Sequence, residues 1–170
     1  MKWVESGGGP LIVVPEQDLS SWNGIHPGQG EQQSDYDLAC LGKEDLFIVE
    51  KANAQILVLG DEPFRTTWWP AEKGLLLVRW IYAESEQAVA SYLEDLGTQE
   101  LRREQILSFS TPGRCLLFDS AEPGDDIRGD TLVLPLRAGT YRVGSCIVSP
   151  SEDLSLSVVV FESQAMVRSG

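Results

Sequence analysis

Short runs of β-branched and aliphatic residues, separated by clusters of Gly, Pro and Asp, recur along the chain, and this punctuation predicts strands joined by turns. The expected strands are Leu11–Val14, Leu46–Glu50, Ile56–Gly60, Leu75–Tyr82, Cys115–Asp119, Asp130–Pro135, Thr140–Val148 and Leu154–Glu162. Leu11–Val14 and Ile56–Gly60 are nearly unbroken apolar runs, the pattern of a strand covered on both faces. Leu154, Leu156 and Val158 instead alternate with Ser155 and Ser157, as in a strand with one exposed face. Trp80 and Tyr82, two apart on an apolar strand, are expected in the core. The helical period occurs after Ser85, an N-cap candidate, where Val89, Tyr92, Leu93 and Leu96 fall at i, i+3, i+4 and i+7. Gly97 supplies the stop, and a shorter helical stretch over Thr98–Gln105 follows.

The regions on either side of this helical segment resemble each other. Pro10–Val14 matches Cys115–Phe118, Leu57-Val58-Leu59 matches Leu132-Val133-Leu134, and Gly74–Trp80 matches Gly139–Val143. A diverged duplication would fold as two related units. The expectation is therefore a β-rich α+β protein with mainly antiparallel sheets, as two sandwich-like lobes over residues 1–84 and 106–170 and a helical connector over 85–105, packed as one unit.

Charge narrows the range of functions. The 170 residues include 26 Asp and Glu against 13 Lys and Arg, a net charge of −13. So negative a surface repels phosphate backbones and anionic headgroups, which argues against direct nucleic-acid or membrane binding. The longest strongly apolar runs, Leu11–Val14 and Leu75–Val78, fall far short of the ~20 residues of a membrane-spanning helix. The N-terminal Met1–Gly9 stretch lacks the apolar core of a secretion signal, so a cytoplasmic location is expected. Three cysteines, Cys40, Cys115 and Cys146, show no metal-ligand spacing and are expected as buried thiols.

No catalytic or metal-binding residues are expected. His26 is the single histidine and lies in a loop-like stretch, Asn23–Gly30, so no multi-histidine metal site can form. Gly28-x-Gly30 does not continue into a dinucleotide fingerprint, and no phosphate-cradling Gly-Lys-Ser/Thr loop occurs. Asp119–Asp130 offers oxygen donors but not the alternate spacing and closing Glu of an EF-hand. No cofactor is expected.

Binding residues are better represented. Trp68 and Trp69 are neighbours, and in an extended segment their rings point to opposite faces. Beside them stand Asp61 and Glu62, and an exposed Trp near carboxylates is the mixture found at protein-binding hot spots. Both rings plugging the core is an equally consistent outcome. Asp35-Tyr36-Asp37 either starts a short helix, with Asp35 or Asp37 as N-cap, or presents charge to a basic partner. Asp125 and Asp126 complete the candidate interface set.

Several of these segments together resemble the immunity protein 21 family of bacterial polymorphic toxin systems. They are Trp3–Leu11, Leu19-x-x-Trp22-x-Gly24, Asp35-Tyr36-Asp37-x-Ala39-Cys40, Leu57–Pro63 and Val78-Arg79-Trp80-x-Tyr82-Ala83, with Asp119-Ser120-Ala121 and Gly139-x-Tyr141-Arg142-Val143 in the second half. The resemblance carries over no catalytic residue. It implies an antitoxin that binds a cognate toxin domain, in many such systems a nuclease, whose phosphate-holding surface is basic. An acidic inhibitor steers onto such a surface. Two other readings stand beside it: a carbohydrate-binding module with Trp68 and Trp69 as stacking platform, and a hydrolase built on a carboxylate pair.

Overall fold

Leu11–Pro15 (β1) forms the strand that its apolar run predicts, with all five residues buried. A computed structural model describes residues 1–60, 62–72, 74–96 and 101–164. After β1 come a short 3₁₀ turn over Glu16–Ser21, helix α1 (Asp35–Cys40), β2 (Phe47–Lys51), β3 (Ala54–Val58), β4 (Thr66–Ala71) and β5 (Gly74–Ala83). Helix α2 (Glu86–Leu96) leads to β6 (Gln105–Thr111), β7 (Cys115–Asp119), β8 (Leu132–Leu134), β9 (Gly139–Ser151) and β10 (Leu154–Ser163).

The strands form two antiparallel sheets, ordered β2-β3-β1-β7-β8 and β4-β5-β10-β9-β6. Between them Leu11, Val13, Leu57, Leu117 and Leu134 meet Leu75, Leu77, Phe109, Val143, Val159 and Phe161. Phe161 makes edge-to-face contacts with Phe109 at 6.0 Å and Tyr141 at 6.3 Å. Each sheet also buries its outer face. Val89, Leu93 and Leu96 of α2 cover Leu76, Val78, Leu156 and Val158. Trp22 and Ala39 cover Ile12, Val14, Ile56 and Phe118, and the Trp22 Nε1–H donates to the Ser120 carbonyl at 2.8 Å. This layering, with cover outside both sheets, explains why β1 has no polar face.

The β-rich α+β class is what the structure shows, but the sheets do not follow the halves of the chain. Each sheet takes strands from before and after α2, so the expected lobes at 1–84 and 106–170 are not separate sheets. The strands matched in the sequence are close together: β1 pairs with β7, and β5 and β9 flank β10. However, β1 and β7 run antiparallel whereas β5 and β9, both antiparallel to β10, run parallel.

Other expectations change as well. Strand β10 is central, not half-exposed, and Ser155 is buried with its hydroxyl 2.9 Å from that of Ser149. Tyr82 is 45% exposed and Trp80 is half-buried near the end of β5. Ser85 caps α2 as expected, its Oγ accepting from the Ala88 N–H at 3.2 Å. Residues 97–100, with the Gly97 stop and the start of the second helical stretch, lie outside the described residues; Leu101–Glu104 is not helical, and Gln105 opens β6.

Leu77 is fully buried between the sheets, so Leu77→Ala is expected to cost about 2–5 kcal/mol in urea unfolding; a loss below about 1 kcal/mol would mean that this layer is loosely packed. The cysteines divide differently from the expectation: Cys40 is exposed, and Cys115 and Cys146 are buried. Burial pushes the Cys115 thiol up to about 11 and moves Cys146 in the same direction. A thiol-reactive chromogen at pH 8 is therefore expected to label Cys40 rapidly and all three only after unfolding; rapid labelling of all three in the folded protein would contradict this burial.

Candidate partner-binding surface

The apolar filling between the sheets ends at Leu77 on β5 and Val159 on β10, which lie level, and one inward position earlier, at Val143, on β9. On β5 the inward positions run Leu75, Leu77, Arg79, Ile81; on β9 they run Tyr141, Val143, Ser145, Ile147; on β10 they run Phe161, Val159, Ser157. Ser157 pairs in register with Arg79 on one side and Ile147 on the other. Past this step β5 continues to Ala83, β9 to Ser151 and β10 back to Leu154, whereas no strand of the facing sheet exceeds five residues, so the longer sheet projects past it. The projecting face forms the floor of a cleft of about 290 Å³ lined by Arg79, Ile81, Ser145, Ile147 and Ser157. Ile147 is 68% exposed, a large apolar side chain left open on a sheet face.

Loops from both sheets rim this cleft. Asp45 precedes β2, Glu62 and Phe64 lie between β3 and β4, and Glu104 precedes β6. Gly60 starts the second of these loops with φ +59°, and a Cβ there would lie 2.9 Å from the Asp45 carbonyl oxygen, so glycine lets the loop cross close over Asp45. Arg79 holds the loop down: its Nη2 donates to the Glu62 carbonyl, and its guanidinium lies 5.5 Å from the Phe64 ring centre. Arg79 is 4% exposed, and its Nε has no hydrogen-bond partner. Burial pulls its guanidinium down to about 10, while the nearby carboxylates of Asp45 and Glu62 oppose that shift. It therefore stays charged at neutral pH.

The sequence-predicted residues are spread over the molecule. Asp35 is buried rather than presented to a partner, a correction with a clear cause. Its Oδ1 lies 2.7 Å from Lys51 Nζ, and its Oδ2 accepts from the Asn23 backbone N–H at 2.6 Å, which ties α1 to β2. Burial works against the Lys51 charge, but Asp35 and Glu31 outweigh it and hold the ammonium above its ordinary value. The α1 N-cap is Ser34, not Asp35 or Asp37. Ser34 Oγ accepts from the Asp37 N–H, and the Asp37 carboxylate accepts from the Ser34 N–H, a reciprocal capping box. Tyr36 is half-buried, its ring beside Gly9. Asp125 and Asp126 are exposed, with Asp126 paired to Arg128. Elsewhere in that acidic turn, Asp119 accepts from the backbone N–H groups of Gly7 and Ala121, and Glu122 from that of Gly129. Among the described residues no group of three or more His, Cys, Asp or Glu is placed to hold a metal ion. Asp61 lies outside the described residues; among the described residues Glu62 is the one predicted residue on the cleft rim.

Trp68 and Trp69 realise neither simple outcome. Both are half-buried on edge strand β4, Trp68 against the layer between the sheets and Trp69 against the layer under α2. Each lines a different hollow, of about 510 Å³ and 390 Å³. Rings on opposite faces of one strand cannot stack on one sugar, so the platform reading loses its geometry. A different aromatic cluster forms where Arg65 lies 3.8 Å from the Trp80 ring centre and 5.0 Å from that of Trp3, fixing the N-terminal segment against β5.

Sequence reasoning missed Asp45, Arg79, Glu104 and Ile147. The available signal was the appearance of Arg79 between Leu77 and Ile81, and of Ser145 between Val143 and Ile147, at positions whose strand neighbours two residues away are apolar.

A family model described as immunity protein 21 matches residues 2–154. No curated protein and no solved structure matches the chain.

Asp35→Ala, which leaves Lys51 with Glu31 alone and the Asn23 N–H without its acceptor, is expected to cost about 3 kcal/mol, whereas Asp37→Ala, which removes half of an exposed capping box, is expected to cost less. Urea unfolding of the two variants checks the order, and equal losses would contradict a structural role for Asp35. The hydrogen bonds from Ser34 lower the Asp37 pKa below its ordinary 3.8. The Asp37 contribution is therefore complete above that value and fades as pH falls through the lower folded one.

Proposed function

The chain belongs to the immunity protein 21 family, and from that membership we propose that it neutralises a cognate polymorphic toxin by binding it one to one in the cytoplasm of the cell that makes both. The family match over residues 2–154 carries this reading. Inhibition by binding requires neither turnover nor a cofactor. The net charge of −13 supports a basic partner, of the kind that holds phosphates in a nuclease. Long-range attraction between an acidic inhibitor and such a toxin raises the encounter rate, and the same charge keeps the inhibitor off nucleic acid. Covering the toxin's substrate surface and locking a neighbouring one are both compatible with this reading.

Calorimetric titration of the purified protein into the toxin domain encoded by the neighbouring gene tests the proposal. A one-to-one complex is expected, with affinity falling about tenfold or more between low and high salt as exposed charge is screened. No binding at either salt, with both proteins folded, would contradict it.

A further inference from the structure

The cleft at the projecting end of β5, β9 and β10 combines features that select an occupant. Three exposed carboxylates, Asp45, Glu62 and Glu104, stand around it against the single guanidinium of Arg79, so the described lining is net negative. That arrangement attracts a cation. The floor, however, asks for an acceptor: Arg79 is 4% exposed, its Nη2 is engaged by the Glu62 carbonyl, and its Nε is unpaired. A buried donor without a partner is unfavourable, and an arriving carbonyl oxygen relieves it. Ile81 and Ile147 add apolar surface on the same floor, with Ile147 68% exposed.

We propose that this cleft is the docking site for the toxin, and that it takes an extended segment of the toxin carrying a Lys or Arg side chain. The cation sits among Asp45, Glu62 and Glu104, its aliphatic stem covers Ile81 and Ile147, and a small shift of the buried Arg79 side chain lets a main-chain carbonyl of the same segment accept from its Nε. A polypeptide brings all three groups. A metal ion brings charge without an acceptor, and a nucleic acid brings acceptors that the rim repels. Asp125 and Asp126, by contrast, are exposed on a turn whose Asp126 is already paired with Arg128, and they do not line the cleft. The inference rests on the antitoxin reading above.

The test compares three variants with the wild type for binding to the toxin domain encoded by the neighbouring gene, after thermal melts confirm that each is folded. Glu62→Lys with Glu104→Lys reverses two exposed rim charges and is expected to weaken binding about 100-fold or more. Asp125→Lys with Asp126→Lys changes net charge by the same amount away from the cleft and is expected to stay within about threefold. Ile147→Ala, which leaves charge untouched, is expected to weaken binding about fivefold or more. If the wild type binds and the rim pair and Ile147→Ala bind like it, the cleft is not the docking site and the antitoxin reading stands. Equal losses in both charge-reversed pairs with none in Ile147→Ala would likewise overturn the cleft, because charge alone would then account for binding. If the wild type itself does not bind, both proposals fall.

Discussion

Two sheets of unequal strand length are stacked face to face in this protein, and much else in the structure follows from that mismatch. Strand β1 has five residues and spans about 17 Å, whereas β9 has thirteen and spans about 43 Å. Apolar surface between sheets is buried only where both are present. The sequence of the longer sheet respects this limit: Leu77, Val143 and Val159 lie inside it, and Arg79, Ser145 and Ser157 take over at the next inward positions. Polar residues at the edge of a core are ordinary, but a guanidinium at 4% exposure is not, and it persists because the Glu62 carbonyl, Phe64 and nearby carboxylates surround it.

The same limit separates stability from recognition. The covers over the outer faces, α2 on one side and Trp22 with α1 on the other, belong to the folding unit. The buried Asp35–Lys51 pair fixes one of them, which is why a carboxylate that reads as surface charge in the sequence is placed inside. The uncovered end carries exposed carboxylates and an open isoleucine on a scaffold of paired strands. Ile81 and Ile147, held by strands, lose little freedom on association, and the carboxylates stand on the short loops around them. The proposed docking of a toxin segment uses such a surface.

Local chemistry was legible in the sequence and long-range assembly was not. The apolar runs located the main strands, and the 3.6-residue period with Ser85 located α2, because these signals depend on neighbours within one turn or one pleat. Pairing order was illegible, since β1 beside β7 and β5 beside β10 join residues far apart in the chain. This is also why the likeness of the two halves suggested lobes that the sheets do not follow. The interface candidates were chosen for composition, so Asp35 was included for its charge and Arg79 was passed over although it appeared in a quoted motif. Only the register that sets Arg79 opposite Ser157 shows where the core ends.

Methyl NMR of isoleucine-labelled protein tests the assignment of the open end most directly, because the chain carries isoleucines in both regions that matter. Ile81 and Ile147 line the cleft, and Ile127 lies beside the acidic turn of Asp125 and Asp126. On addition of the toxin domain, the account predicts that the Ile81 and Ile147 methyl signals shift while Ile127 stays in place. A shift at Ile127 with Ile81 and Ile147 unmoved would contradict it.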